Sequence, residues 1–592
     1  MVLLRVTVTR SVHLRVPEVN LQKSIARRVA AAQHRPPLSP KVYMNLLSKF
    51  INRTDFRDYE DFSKNIRVTV PENFNFARDV VDEYARLCPE KRALVWCNAA
   101  GKEKTITFGE LSALANRTVR FLLDSGVNRG DYVMSMLNRR WEYWVLAVAC
   151  CKLGAVLIPA THLLTPKDIA YRCNSAGVKM LIATSEADVI EHIGHALEKC
   201  ETLRECVYTT PVEGFRCFED SIMKFSDEDP AIDRPDPRGN MLCYFTSGTT
   251  GMPKMVQHDF EYPIGFVFNA YFWQAVIDDG LHFTAAETGW AKCSWGKIYG
   301  QWIAGSAVFA YDYHGRFTPT DLLPLIARYG INTFCVPPTI YRFLVKEDLS
   351  KYDFSSLSHC TTAGEALNAE IFKQFHDATG QKIYEGFGQT ESCVILANFR
   401  FMEPVSGCSG KPCPLYDIVL IDDEENPVPD GCEGEIAVRL RPHQIGLVSN
   451  YKDDPERTAA ARGGKFYHTG DLAKRDADGM YWFVGRKDDI IKSSGYRIGP
   501  FEVESALMEH PSVLECAITG APDPVRGTVV KATIVLAKGY TPSDELKKEL
   551  QNYVKQATAP YKYPRIIEFV DEMPKTISGK IRRVEIREKD SK

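Results

Sequence analysis

The run Tyr244-Phe245-Thr246-Ser247-Gly248-Thr249-Thr250-Gly251-Met252-Pro253-Lys254 combines the residue types that bind a polyanion. An apolar approach leads into residues 246–251, which are only Thr, Ser and Gly, and Lys254 follows closely. Glycines let backbone N–H groups turn toward an anion, hydroxyls add donors, and the lysine adds charge. This predicts a phosphate cradle. It is not a Walker loop, because Met252-Pro253 separates Gly251 from Lys254. A surface loop could share the composition, so the segment alone leaves both readings open.

The surrounding sequence shows what would position such a cradle. From residue 68 onward, helix-like and strand-like segments alternate. A helix is predicted over 76–87, a short strand over 105–107 and a strand over 132–137. A helix over 141–152 and a strand over 155–159 follow. Thr107 with Glu110 forms a capping box that opens a helix over 111–126. Nearly continuous apolar strands between helices indicate a parallel sheet covered by helices, continuing through 331–336. After residue 415 strands shorten and are joined by turns at 422–426, 429–431 and Asp478-Gly479, an antiparallel texture. The last hundred residues read as a small α/β unit. It has strands at 517–519, 529–536 and 565–570, and a helix starting at Thr541-Pro542 with Asp544 three residues after the cap. Leu546, Leu550, Tyr553 and Val554 form its apolar face. The boundary is placed at Asp488, giving domains 1–43, 44–487 and 488–592.

Bulk properties narrow the class. A chain of 592 residues is too long for one ordinary core. Hydrophobic residues at 45% and charged residues at 25% match the soluble average. A formal charge of -3 gives no reason to expect nucleic acid as a partner. The most apolar stretch, 144–160, is broken by Lys152, Gly154 and Pro159, so no transmembrane segment is expected. Seventeen cysteines without a framework suit reduced thiols. The first forty residues hold Arg5, Arg10, Arg15, Lys23, Arg27, Arg28 and Arg35 but one acid, Glu18. That composition fits either a mitochondrial presequence or a misassigned start ahead of Met44. A cytoplasmic location is expected, with the mitochondrial matrix as the alternative.

The cradle resembles the signature loop of the superfamily of acyl-CoA synthetases, luciferases and nonribosomal peptide adenylation domains. Further signatures stand in that family's order: Gly364-Glu365-Ala366-Leu367, Tyr384-Glu385-Gly386-Phe387-Gly388-Gln389-Thr390-Glu391, Tyr467-His468-Thr469-Gly470-Asp471 and Gly485-Arg486-Lys487-Asp488-Asp489. Gly495-Tyr496-Arg497-Ile498-Gly499-Pro500 and Pro574-Lys575-Thr576-Ile577-Ser578-Gly579-Lys580 complete the set. The resemblance implies an α/β fold. It has a large N-terminal domain of parallel-rich sheets covered by helices, a β-rich subdomain and a small mobile C-terminal α/β domain.

The same resemblance implies roles for particular residues. Thr246, Ser247, Gly248, Thr249, Thr250, Gly251 and Lys254 would meet the phosphates of ATP, with Thr246 among the catalytic residues. Lys580 would bridge the substrate carboxylate and the α-phosphate, Thr390 would contact that phosphate, and Glu391 would hold Mg²⁺. Asp471 would accept both ribose hydroxyls with Arg486 in support, and Gly364, Glu365 and Ala366 would line adenine. Glu385, Gly386, Phe387, Gly388, Gln389 and Arg497 complete the expected ATP site. Asp488 would be the hinge, and Ser494, Gly495, Tyr496 and Arg526 would meet coenzyme A. Ala285-Ala286-Glu287-Thr288-Gly289-Trp290 and Ala559-Pro560-Tyr561-Lys562-Tyr563-Pro564-Arg565 look most like medium-chain acyl-CoA synthetases. Trp290 and Gly388 would line the acyl pocket, with the glycine leaving it open.

The implied activity is ATP-dependent ligation of a short, medium-chain, branched or aromatic carboxylic acid to coenzyme A through an acyl-adenylate. The alternatives are an adenylation enzyme that loads a separate carrier protein, a non-catalytic nucleotide-binding homologue, and a luciferase-like oxygenase. Oligomeric state is not legible.

Overall fold

The computed structural model describes residues 45–590 apart from 249–250, 316, 366, 494–495, 525 and 576–580. The basic N-terminal stretch, Thr249, Thr250, Ala366, Ser494, Gly495 and Lys580 therefore lie outside the described residues.

Two large sheets share one core. In the nine-stranded sheet, Arg92–Asn98, Ala307–Asp312, Leu281–Thr284, Thr333–Cys335, His359–Ala363 and Ile383–Phe387 run parallel in that spatial order. In the eight-stranded sheet, Asn240–Gly248, Val156–Pro159, Tyr132–Met136, Val178–Ala183 and Glu205–Tyr208 are parallel neighbours. The central core takes in Leu94 and Val308 from one sheet and Val133 and Leu157 from the other. The helix Glu142–Leu153 belongs to it, and all twelve of its residues are buried. Its apolar residues therefore go all round, and the one lysine it carries, Lys152, is neutralised by Asp82 at 2.7 Å.

Thr107 and Glu110 close the capping box that opens the helix Phe108–Asp124. An antiparallel sheet follows, built from Asp417–Ile421, Glu433–Arg439, Phe466–Arg475 and Tyr481–Arg486.

The C-terminal strands Val513–Asp523, Gly527–Leu536 and Ile566–Phe569 form a sheet with a separate core containing Ile491, Val503, Ile518, Ala532 and Leu550. One expectation here is corrected. The helix Asp544–Ala557 is capped by Ser543, whose hydroxyl accepts from the Leu546 amide, so the start lies two residues past the expected Thr541 cap. The expected strand at 565–570 is present as Ile566–Phe569. The helix Arg583–Asp590 follows, buries Ile586 beside Ala517 and Met573, and carries Arg583, which clasps Glu504 at 2.7 and 2.8 Å.

Candidate functional site

The segment read as a phosphate site is carried by two paired strands. Asn240–Gly248 and Gly251–Asp259 pair antiparallel, with Thr246 opposite Lys254 and Gly248 opposite Gly251. Only the backbone of Ser247, Gly248 and Gly251 is described. The described flanks of the run form a two-stranded arm, and cross-strand pairing rather than sequence proximity brings Lys254 to Thr246. Burial lowers the Lys254 pKa and Arg457 adds to the fall, while Glu391 opposes it.

The second arm of that hairpin also holds the segment 389–391. His258 Nε2 lies 2.8 Å from the Thr390 carbonyl oxygen. The Tyr451 hydroxyl donates to Glu391 Oε1 at 3.1 Å, and Tyr451 pairs with Val256 on the hairpin. The Tyr467 hydroxyl donates to Gln389 Oε1 at 2.7 Å. Gln389 then donates to the Thr469 carbonyl at 2.7 Å and to Asp471 Oδ2.

Asp471 and Arg486 face each other across antiparallel strands, 3.4 Å apart. Burial works against the Arg486 charge, yet Asp471 and Asp488 outweigh it and raise its pKa. Lys254, Glu391, Gln389, Asp471 and Arg486 are therefore linked by direct hydrogen bonds or by mutual charge. A hard divalent cation suits this geometry. Tyr451 takes Oε1 of Glu391, and a single carboxylate with nucleotide phosphates is a sufficient donor set for Mg²⁺.

The Glu385 side chain is held by backbone amides. Its buried carboxylate accepts from the amides of Leu367 at 3.0 Å and Gly407 at 2.6 Å, and burial pushes its pKa up to about 8. Its side chain ties loops together. Glu365 pairs with Arg342 at 3.4 Å, and Arg497 is exposed on the short strand Tyr496–Ile498.

At Gly388 the backbone is closely approached by an indole. A β-carbon there would lie 2.7 Å from Cζ2 of Trp295 and 2.8 Å from the Cys393 carbonyl oxygen. At Gly386 it would lie 2.6 Å from Cε2 of Trp273. The two indoles meet edge to face at 6.0 Å. The glycines exist so that tryptophans can approach the backbone. Trp290 stands half-buried at the start of the helix Ala291–Gly296, which carries Trp295.

Trp295, Trp273, Tyr451 and His258 were missed because each acts through a contact distant in sequence. So was Lys292, whose ammonium donates to the Ala363 carbonyl at 2.7 Å beside Gly364. Only Trp295 and Lys292 carried a local signal, as neighbours of the run ending at Trp290.

Past Arg486 the contacts change. Asp488 pairs back with Arg486 at 3.3 Å, while Asp489 pairs with Arg587 at 2.5 Å on the last helix. Tyr496 is 51% exposed and stacks on Tyr561 at 4.1 Å. Arg526 lies in the turn between the strands ending at Asp523 and beginning at Gly527, its amide donating to Asp523.

All seventeen cysteines are free thiols. Among the described residues no helix is long and apolar enough to cross a membrane.

Comparison with known proteins matches this geometry to a family. The model for AMP-binding enzyme covers residues 81–445, and that for AMP-binding enzyme C-terminal domain covers 502–580. Acyl-coenzyme A synthetase ACSM3, mitochondrial, of Mus musculus is 42% identical over 548 residues, spanning 90% of this chain and 94% of that one. Acyl-coenzyme A synthetase ACSM5, mitochondrial, of Homo sapiens is 43% identical over 535 residues, spanning 88% and 92%. Among solved structures, the anthranilate CoA ligase AuaEII in complex with anthranoyl-AMP has a TM-score of 0.81 at 29% identity, covering 88% of this chain and 98% of that one. A benzoate CoA ligase from Burkholderia xenovorans has a TM-score of 0.76 at 26% identity, covering 87% and 100%. The chain belongs to the AMP-binding enzyme family.

Proposed function

We propose that this chain is an AMP-forming acid–coenzyme A ligase. ATP activates a carboxylic acid as an acyl-adenylate with release of pyrophosphate, and the thiol of coenzyme A then takes the acyl group and releases AMP. The observation that carries the reading is the linked set Lys254, Gln389, Glu391, Asp471 and Arg486, joined across four strands and the 389–391 segment.

Attack of a carboxylate on the α-phosphate brings two anions together, so catalysis requires charge neutralisation and alignment. We assign Thr246, Lys254 and the hairpin tip to the phosphates, Thr390 to the α-phosphate, Asp471 and Arg486 to the ribose, and the strip 364–366 to adenine. Lys580 supplies the charge that bridges the reacting anions. Mg²⁺, held by Glu391, screens the phosphate charge when bound. Asp488 is the pivot between a large domain, 44–487, and a small one, 488–592. Its rotation exchanges Lys580 for the face around Ser494, Gly495, Tyr496 and Arg526, which receives coenzyme A.

The acid class is proposed as butyrate to octanoate, branched short acids and benzoate-like acids. The indoles of Trp273 and Trp295 beside Gly386 and Gly388 support flat or slender acyl groups, as do neighbours named for anthranilate and benzoate. Mitochondrial location is proposed from the basic, acid-poor first forty residues and from relatives named mitochondrial. The N-terminus of the protein recovered from cells tests it: cleavage ahead of Met44 in a mitochondrial fraction supports it, and an intact cytosolic chain rejects it.

One assay tests the activity. Purified protein with Mg-ATP and a panel of acids should release AMP and pyrophosphate, with turnover dependent on coenzyme A. Release of ADP and phosphate would remove the acyl-adenylate route. Turnover only with a carrier protein would favour the alternative of carrier loading.

A further inference from the structure

The segment Gln389-Thr390-Glu391 is irregular backbone at the end of the strand Ile383–Phe387, where nothing in its own local structure fixes three successive side chains. Yet each residue is met by a different aromatic side chain from a different strand. Tyr467 from Phe466–Arg475 donates to Gln389 at 2.7 Å. His258 from Gly251–Asp259 meets the Thr390 carbonyl at 2.8 Å. Tyr451 from Asn450–Tyr451 donates to Glu391 at 3.1 Å. Resting on the site assignment above, we propose that His258, Tyr451 and Tyr467 are positioning residues that hold the α-phosphate contact and the cation-binding carboxylate in reacting geometry, with His258 as the donor to the Thr390 carbonyl.

The tautomer of His258 follows from its partners. A carbonyl oxygen only accepts, so Nε2 carries the hydrogen. Nδ1 is buried without a hydrogen-bond partner among the described residues. The ring is fully buried, stacked on Tyr262 at 3.7 Å with Tyr244 at its edge. Burial depresses its pKa to about 3, partly opposed by the Thr390 carbonyl, so it donates unchanged through the neutral range. His258 lies four residues past Lys254 on the same hairpin arm, so the arm that bears the phosphate-facing lysine also fixes Thr390. Tyr451 adds a second tie between the same arm and Glu391 through its pairing with Val256. The phosphate arm and the segment 389–391 therefore keep one spacing.

The experiment compares His258→Phe, His258→Gln and Tyr451→Phe in acyl-adenylate formation, with Glu391→Gln alongside. Misplacement of a reacting group by a fraction of an ångström predicts a fall of about 10- to 100-fold in kcat for His258→Phe, with KM for ATP changing far less. Glutamine, which retains a donor, should recover much of that loss and keep the acid limb of the wild-type pH profile. Tyr451→Phe should raise the Mg²⁺ concentration for half-maximal rate several-fold. Wild-type kcat in His258→Phe, or equal impairment of the Phe and Gln variants, would overturn the donor role. A shifted acid limb in the Gln variant would overturn unchanged donation by His258 through the neutral range. If the Phe variant does not fold, the Gln pH profile and the Tyr451→Phe cation titration decide the matter. Full adenylation by Glu391→Gln would instead remove the assignment of the site, and the positioning role would fall with it.

Discussion

The candidate nucleotide site and the region past Asp488 are built on opposite principles. In that site, functional groups are held by partners that are themselves buried. His258 and Tyr467 are almost completely enclosed, and Asp471 is 5% exposed. Past Asp488 the candidate coenzyme A residues are surface groups: Tyr496 stacks on a second exposed tyrosine, and Arg497 is exposed on its strand. Even the two acids at the boundary divide their loyalty, Asp488 to Arg486 behind it and Asp489 to Arg587 ahead. The contrast teaches that preorganisation is concentrated where charge must be neutralised. The other side keeps contacts weak enough to be exchanged, since exposed ion pairs contribute only about 0–1 kcal/mol each.

The sharpest way to break this comparison is to separate the two half-reactions. Lys580→Ala should slow acyl-adenylate formation by about 100- to 1,000-fold or more, because positive charge is lost where two anions meet. Thioester formation from preformed acyl-adenylate should survive within a few-fold. Asp488→Pro should do the reverse if the locked pose is the adenylating one, since proline holds φ near about −65° and restricts a pivot. Timing both steps in both variants checks the idea. Equal slowing of both steps in each variant would leave a static site and no division between the regions.

A smaller effect is expected at Gly386. Alanine there forces Trp273 aside, and overpacking of this kind costs about 1–3 kcal/mol, read as a lowered Tm. Alanine at the exposed Tyr496 should leave Tm nearly unchanged. Comparable losses at both would erase the contrast in rigidity.

A further effect concerns acid. His258, His282 and His359 are each driven by burial to about 3, below the 6.5 of a free histidine. A depressed histidine keeps the folded state from binding protons that the unfolded chain takes up. Stability is therefore full above pH ~6.5 and declines as pH falls toward 3. Denaturant melts between pH 7 and pH 4 should show that decline, with a shallower slope in His258→Gln.

What the sequence disclosed was local chemistry. The Thr107–Glu110 capping box and the alternation of strands and helices each depend on neighbours a few residues apart, and each had a structural counterpart. Three things stayed hidden for a common reason. The helix Asp544–Ala557 is capped at Ser543, whose hydroxyl accepts from the Leu546 amide, two residues past the expected Thr541 cap. The Glu385 carboxylate is held by two loop amides, from Leu367 and Gly407, that no local pattern reports. Tyr451 is 60 residues from Glu391 and His258 is 132 from Thr390, distances at which no periodicity or motif reports a contact.

The approach of Trp295 to Gly388 also has an evolutionary reading. With Cζ2 of the indole 2.7 Å from where a β-carbon would stand, the two positions behave as one inherited character. A lineage that enlarged residue 388 first would pass through a jammed pocket, and one that trimmed residue 295 first would pass through a hollow one. Descendants that change size at either position should therefore carry compensating changes at both. Divergence at only one of the two would mark a branch that has left the ancestral packing behind.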